Sequence, residues 1–158
     1  MDESGTYALH GKLQLVRDTA GAMSQDHVDL IKRGMEAFNR RDWDGALELM
    51  AEDAVWTTYF GTVAGERSRY GRAAIRQAWE AAAEVFGGDA YKVEPRELRD
   101  LGGGTILVRL LLSGRGTASG VEVETEFAQL WTLRGSLAVR LDSYADVAEA
   151  LEAAGLEE

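Results

Sequence analysis

The sequence predicts an α+β fold in which helices pack on one face of a long antiparallel sheet. Segments with apolar residues at helical spacing fill the first half of the chain, and the second half is almost wholly strand and turn. The clearest signal is the stretch 121–144, where two kinds of side chain alternate on either side of a turn at 134–136. This stretch is predicted to form a β-hairpin, around which the other elements are placed.

Composition limits the class of protein. A chain of 158 residues with 46% hydrophobic and 28% charged residues suits one globular domain. The net charge of -10 disfavours nucleic acid and anionic membranes as partners, because both repel a negative surface. The sequence has no cysteine, which excludes disulfides, a thiolate nucleophile and a cysteine-zinc site. With no apolar run of about 18 residues and no signal-peptide core, a cytoplasmic location is expected.

The chain is expected to have two parts. Residues 1–23 show no helical spacing and are expected to form a flexible leader, in which only 8–16 alternate as a short strand would. The compact domain is expected to span 24–158, since no linker or repeat divides it.

Three helices are predicted in the first half of the domain. The first follows an N-cap at Ser24, and the second, over 43–51, follows an N-cap at Asp42. The third covers 72–86, which is rich in alanine. Each has apolar residues at three-to-four spacing that face a core: Val28, Ile31, Met35 and Phe38, then Trp43, Ala46, Leu47 and Met50, then Ile75, Ala78, Trp79, Ala82 and Phe86.

A strand and a loop are predicted between the second and third helices. The β-branched and aromatic residues of 54–60 indicate the strand. Because side chains alternate along a strand, an inward Trp56 places Thr58 and Phe60 on the same face. The loop that follows is either a solvated basic loop or a lip that binds an anion, because it carries three arginines: Arg67, Arg69 and Arg72.

Two strands are predicted before the hairpin, over 91–98 and 105–114. Pro95 places the first at a sheet edge, because proline cannot donate a ladder hydrogen bond. The second is almost wholly apolar and is expected at the centre of the sheet, so Arg109 is conspicuous within it. A short C-terminal helix is predicted over 146–155.

Arg109 has two interpretations. A turn near 117–120 sets it opposite about Phe127, on the face that carries Gln129, where it would act in a pocket. A change of one residue in this register moves its side chain to the other face. Arg109 would otherwise pair with a glutamate of the neighbouring strand: Glu122, Glu124 or Glu126.

Gln129 is a lone amide on an otherwise apolar strand face. It lies between Phe127 and Trp131, and either lines a small-molecule pocket or is a core glutamine satisfied by the backbone. Trp56 and Trp131 are the two tryptophans expected at the wall of such a pocket.

Three motifs follow one another over about residues 26–156: AFNRRDWDGALELMAEDAVW, GRAAIRQAWEA and EFAQLWTLRGSLAVRLDSYADVAEALEAAGL. Together they resemble the SnoaL-like polyketide cyclase and ketosteroid isomerase group of the nuclear-transport-factor-2-like superfamily. The resemblance implies a cone-shaped barrel of a strongly bent antiparallel or mixed sheet, with three N-terminal helices packed on its concave face around an apolar pocket. It also implies a homodimer formed sheet to sheet, for which an outward surface is expected, unless core packing explains it: Ala128, Leu130 and Leu110.

The resemblance also assigns site residues. The base of ketosteroid isomerases falls on Thr58, whose hydroxyl is too weak a base, and a tyrosine donor falls on Gly34. A second donor is replaced by Gln129, whose amide can still donate to an oxyanion. The acid-base aspartate of the SnoaL-like cyclases falls on Ser143. Asp142 is one residue away and faces out of the pocket unless a bulge turns it.

These assignments favour a protein that binds a small hydrophobic metabolite without the usual catalytic aspartates. The alternatives are an isomerase or cyclase acting on a polyketide- or steroid-like substrate, and a dimeric interaction module. The candidates for catalysis are Gln129, Arg109 and Asp142. The candidates for ligand binding are Trp56, Thr58, Tyr59, Phe127, Trp131 and Ser143. No cofactor or metal is expected, because the only histidines, His10 and His27, lie in the leader and at the start of the first helix.

Overall fold

The computed structural model describes residues 6–9, 13–17, 25–58, 68–86 and 91–156. The elements of this part of the chain are, in order, β1 (Thr6–Leu9), β2 (Leu13–Arg17), α1 (Gln25–Asn39), α2 (Trp43–Glu48), β3 (Met50–Thr57), β4 (Ser68–Tyr70), α3 (Arg72–Phe86), β5 (Lys92–Gly102), β6 (Thr105–Arg115), β7 (Glu122–Arg134), β8 (Leu137–Tyr144) and α4 (Val147–Ala153). The predicted α+β class is confirmed. None of the helices in these ranges is long and apolar enough to cross a membrane.

The strands form one mixed, open sheet. Its order is β1-β2-β5-β6-β7-β8-β3-β4, so that β1 and β4 are its edges within the described ranges. Strands β5 to β8 form an antiparallel meander, while β2 and β3 flank it as parallel partners of β5 and β8. The hairpin predicted over 121–144 is confirmed as β7 and β8.

Helices α1, α2 and α3 pack on one face of the sheet, around the main core. Asp42 caps α2 as predicted, because its carboxylate accepts a hydrogen bond from the backbone N–H of Gly45 at 3.0 Å. Buried residues of the helical stripes that were predicted to face the core include Val28, Ile31 and Met35 of α1, Ala46 and Leu47 of α2, and Ile75 and Trp79 of α3. They meet the inward side chains of the sheet, among them Leu110, Leu112, Phe127, Trp131 and Leu141.

The short helix α4 packs on the opposite face. Its Ala150 and Leu151 form a second, smaller core with Leu107, Ala128 and Leu130. Part of the surface expected for a dimer is therefore covered by the chain's own last helix. Leu110 was expected to face outward with Ala128 and Leu130, and this was wrong. Its partner across the ladder is Phe127, so it faces the main core.

The boundaries between α2, β3 and β4 differ from the prediction. The second helix ends at Glu48, because Met50 already pairs with Ala138 of β8 and begins β3. The register between β3 and β8 then shifts between Met50 and Val55. Three residues of the predicted loop, Ser68–Tyr70, form β4 by pairing with β3.

Pro95 does not mark an edge strand. β5 lies between β2 and β6, and its ladder with β2 begins only at Glu97. The register with β6 also shifts between Pro95 and Glu97. This irregularity allows an inner strand to hold a residue that has no N–H to donate.

The predicted leader contains two strands rather than one. β1 and β2 pair antiparallel, and β2 extends the sheet beside β5. The flexibility of the leader and the domain boundary at 23/24 stay predictions. Ser24 and Phe60 lie outside the described residues.

Candidate functional site

A cavity of about 380 Å³ lies between the helices and the inner face of the sheet. Helices α1, α2 and α3 and strands β3 to β8 all contribute to its wall. Most of the wall is apolar or aromatic: Gly34, Met35, Phe38, Ala46, Leu49, Met50, Trp56, Ala78, Trp79, Ala81, Ala82, Val85, Tyr91, Val93, Leu110, Leu112, Phe127, Trp131 and Leu141. The rest is polar or charged: Thr58, Arg69, Gln129 and Ser143. Its volume falls in the range of ligand sites in proteins, roughly 300–1,000 Å³.

Three buried polar side chains form a row across the cavity wall. Thr58, Gln129 and Ser143 are the polar residues that the described part of the chain buries, with exposed fractions of 8%, 7% and 2%. Gln129 on β7 is paired with Ser143 on β8. On the other side of β8, Thr57 pairs with Asp142, which brings Thr58 level with Ser143. In the described part of the chain, the buried polar side chains are therefore gathered at one place and not scattered through the core.

The amide of Gln129 is held in one orientation. Its Oε1 accepts a hydrogen bond from Trp131 Nε1 at 3.0 Å, and its Nε2 donates to Ser143 Oγ at 3.4 Å. Because the indole N–H can only donate, the amide oxygen must face Trp131 and the amide nitrogen must face Ser143. The amide group of Gln129 therefore presents its N–H donors, and not its oxygen, toward Ser143.

A second row lies beside the polar one and contains two tryptophans, Trp56 and Trp131. It runs across four strands through the ladder pairs that join Trp131 to Leu141, Leu141 to Trp56 and Trp56 to Arg69. Cross-strand partners point to the same face of a sheet, so Arg69 shares the cavity face of Trp56. Arg69 is half-buried, and it is the one charged side chain among the described residues of the wall.

Tyr91 lines the opposite side of the cavity within an aromatic cluster. Its ring meets Phe38 edge to face at 5.5 Å, and the Arg41 guanidinium lies 5.1 Å from its centroid. Burial raises the pKa of Tyr91 to about 12, although the nearby Arg41 charge acts in the opposite direction. Tyr91 is therefore a neutral phenol near neutral pH.

Arg109 does not lie in the cavity. It pairs with Ala128 rather than Phe127, so its side chain is on the outer face of the sheet. Its guanidinium forms ion pairs with Glu97 at 3.3 Å and with Glu126 at 3.0 Å. The register was predicted wrongly by one residue, and the alternative of pairing with a glutamate describes what is observed.

Asp142 also lies on the outer face. It pairs with Leu130, and its carboxylate accepts a hydrogen bond from Arg140 Nε at 2.7 Å. That hydrogen bond raises the pKa of the Arg140 guanidinium above its ordinary value. No bulge turns Asp142 inward, because the β7–β8 register shifts only between Thr132 and Leu133, away from this position.

The remaining sequence-predicted site residues that the structure describes are brought together in the cavity wall: Trp56, Thr58, Phe127, Gln129, Trp131 and Ser143. Tyr59 lies outside the described residues. The sequence did not indicate Trp79 and Tyr91 as wall residues, and it placed Arg69 on a loop that was either solvated or a lip that binds an anion. The arginine content of that loop was the available signal for Arg69.

Acidic and imidazole groups are absent from the described part of the cavity wall, which includes no Asp, Glu or His. Within the same ranges, no group of three or more His, Cys, Asp or Glu residues could hold a metal ion. The chemistry that this wall offers is therefore hydrogen-bond donation, aromatic contact and one guanidinium charge.

Comparison with known proteins supports the fold. The SnoaL-like domain family model matches residues 31–141. The structure resembles TerC co-crystallised with polyporic acid, with a TM-score of 0.66 and 22% identity over 81% of this chain and 97% of that one. It also resembles a putative polyketide cyclase from Xanthomonas campestris pv. campestris, with a TM-score of 0.61 and 21% identity over 81% of this chain and 96% of that one.

A third similar structure is a hypothetical protein with a ketosteroid isomerase-like fold from Catenulispora acidiphila, in complex with trimethylamine. Its TM-score is 0.63, with 16% identity over 81% of this chain and 93% of that one. No curated protein matches the chain. At these identities the likeness to solved structures establishes the fold, and the chemistry has to be argued from the cavity itself.

Proposed function

Since the chain belongs to the SnoaL-like domain family, we propose that its cavity binds a small, largely apolar metabolite that presents an acceptor oxygen to Gln129 and Ser143. The row of buried polar side chains in the cavity wall is the observation that carries this proposal. Burying a polar group is costly unless it forms hydrogen bonds. A row of three such groups on an otherwise apolar wall is typical of a site that orients a ligand.

The free hydrogen-bonding capacity of the row favours an acceptor on the ligand. Gln129 uses its amide oxygen for Trp131 and one N–H for Ser143, which leaves its second N–H. Ser143 accepts from Gln129, and its own O–H has no acceptor among the described residues. Two neighbouring donors suit a carbonyl, quinone or enolate oxygen. The polyporic acid with which TerC was co-crystallised and the similarity to a putative polyketide cyclase are consistent with an oxygen-bearing ligand of this kind.

Binding is favoured over proton-transfer catalysis because the described residues of the wall include no suitable base. An isomerase needs a group that exchanges protons near neutral pH. Arg109 and Asp142 lie on the other face, and Tyr91 has a pKa near 12. The isomerase or cyclase alternative would be revealed by α-proton exchange of a bound cyclic ketone such as α-tetralone in deuterated water. If wild-type protein accelerates this exchange and the Gln129→Leu variant does not, the protein is an enzyme and the binding proposal is wrong.

The binding proposal is tested with N-phenylnaphthylamine, a neutral probe whose fluorescence rises in apolar sites. Ala82→Phe inserts a ring into the cavity wall, while Ala73→Phe adds the same ring on the exposed side of α3. We expect Ala82→Phe to weaken probe binding about tenfold or more, as the loss of roughly 1.4 kcal/mol would produce, and Ala73→Phe to leave it unchanged. Equal binding by both variants would overturn the assignment of the cavity as the binding site.

We also propose that the chain forms a homodimer through the outer face of its sheet. Because α4 covers Ala128 and Leu130, the contact would use the charged part of that face near Arg109 and Glu126. A contact of this composition would weaken with salt. Sedimentation equilibrium at low and high salt tests the proposal, and a monomer under both conditions would refute it.

A further inference from the structure

Arg69 places a guanidinium in a cavity wall whose other described residues are uncharged. It lies on β4, an edge strand of three residues, directly beside Trp56. Its side chain is half-buried, and the wall in the described residues otherwise carries no charge. The chain as a whole has a net charge of -10, so this cation is directed into the cavity of a strongly acidic protein.

We propose that the ligand is a hydrophobic acid whose anionic group binds Arg69 while its apolar body lies against Trp56 and Trp131. This inference rests on the proposed binding function and adds the charge class of the ligand. A guanidinium binds planar anions such as carboxylates through two parallel hydrogen bonds. Next to an apolar wall the attraction is screened less than in water.

The spacing of the strands sets the shape of this ligand. Ser143 and Arg69 are two strands apart, through β3, which corresponds to about 10 Å between backbones at about 4.8 Å per strand. The acceptor oxygen would meet Gln129 and Ser143, and the acidic group would lie toward Arg69. Trp56 and Leu141 of the second row lie between these two positions. A molecule of two or three fused or linked rings, with an acid at one end and a carbonyl toward the other, fits this arrangement.

The net charge of the protein cannot by itself produce a preference for anionic ligands. The acidic surface repels anions at a distance, so any selectivity for an anionic ligand must come from a local cation. Arg109 offers a matched comparison, because it is a half-buried arginine of the same sheet on the outer face. Removing either arginine changes the net charge equally, but only Arg69 faces the cavity.

The test uses two fluorescent probes with the same ring system, anilinonaphthalene sulfonate and neutral N-phenylnaphthylamine. We expect Arg69→Met to lower the affinity for the sulfonate probe about tenfold, because one charge-assisted contact is lost. The affinity for the neutral probe should stay within about twofold of the wild-type value. Arg69→Lys should retain part of the affinity for the sulfonate. Arg109→Met should change neither probe.

The outcomes separate this inference from the binding proposal. If wild-type protein binds neither probe, the binding function itself fails. If wild-type protein binds the neutral probe, and Arg69→Met weakens both probes equally or neither, only the assignment of an anionic ligand is overturned. The neutral probe also reports whether the Arg69→Met cavity is correctly folded.

Discussion

Trp131 and Gln129, two residues apart on the same face of β7, are joined by a hydrogen bond of 3.0 Å from the indole Nε1 to the amide Oε1. The sequence left two interpretations for Gln129, a pocket residue or a core glutamine satisfied by the backbone. The observed arrangement combines parts of both, since side chains satisfy the amide while it lines the cavity. The bond makes the glutamine a donor toward Ser143, and this polarity determines what the row can bind.

Gln129→Leu should destabilise the protein. The substitution leaves the buried Trp131 N–H without its acceptor, which costs about 1–3 kcal/mol of unfolding free energy. Urea denaturation measures the change. Ser143→Ala is the matched control, because it removes only the longer contact at 3.4 Å and should cost less. If both variants lost the same free energy of unfolding, the Trp131 hydrogen bond would not be the larger contribution to stability.

Arg109→Met should leave ligand binding intact. Its guanidinium is on the outer face, in ion pairs that are partly exposed, and Glu97 keeps a second partner in Arg99 at 3.1 Å. We expect the unfolding free energy to fall by no more than about 1 kcal/mol. Titration with N-phenylnaphthylamine alongside urea denaturation measures both quantities. A tenfold loss of probe affinity would show that Arg109 contributes to ligand binding after all.

The sequence prediction placed Arg109 on the wrong face of the sheet because it misplaced the β6–β7 turn. Arg115 pairs with Glu122, and the turn between them is closed by hydrogen bonds from Gly116 N to Val121 O and from Gly120 N to Gly116 O. A turn centred one-half residue earlier would place Arg109 opposite Phe127. The alternation of β7 was therefore predictable from sequence, whereas its register depended on turn geometry that glycine and serine do not specify uniquely.

The cavity was predictable in part for similar reasons. Phe127, Gln129, Trp131 and Ser143 lie on strands whose period of two is clear, so their common face followed from the pattern. Arg69 lies in a strand of three residues that exists only because β3 offers it a partner, as in the bond from Gly71 N to Ala54 O. Long-range pairing of this kind leaves no periodic signal in the sequence.

The free energy of unfolding should fall as the pH rises above 10, because Tyr91 is buried as a neutral phenol. Burial raises its pKa from 10.0 to about 12 in the folded protein, so the unfolded chain loses the phenol proton first as pH rises. The stabilisation is fully present below pH 10 and is lost as pH rises toward 12, with a total of about 2 to 3 kcal/mol. Denaturation of wild-type protein and Tyr91→Phe across this range isolates the effect. Parallel curves for the two proteins would contradict it.

Gly34→Ala should stabilise α1 without closing the cavity. A Cβ at this position would lie 3.4 Å from Trp131 Cη2 and 3.7 Å from Leu49 Cδ1, which are contact distances. Replacing glycine inside a helix gains up to about 1 kcal/mol, measurable as a higher midpoint of thermal unfolding. Gly34→Leu is the informative comparison, because its longer side chain can fit only if Trp131 moves away from Gln129. We expect that variant to lose both stability and affinity for N-phenylnaphthylamine. If Gly34→Leu instead bound the probe as wild-type protein does, Trp131 would not be the wall that the ligand contacts.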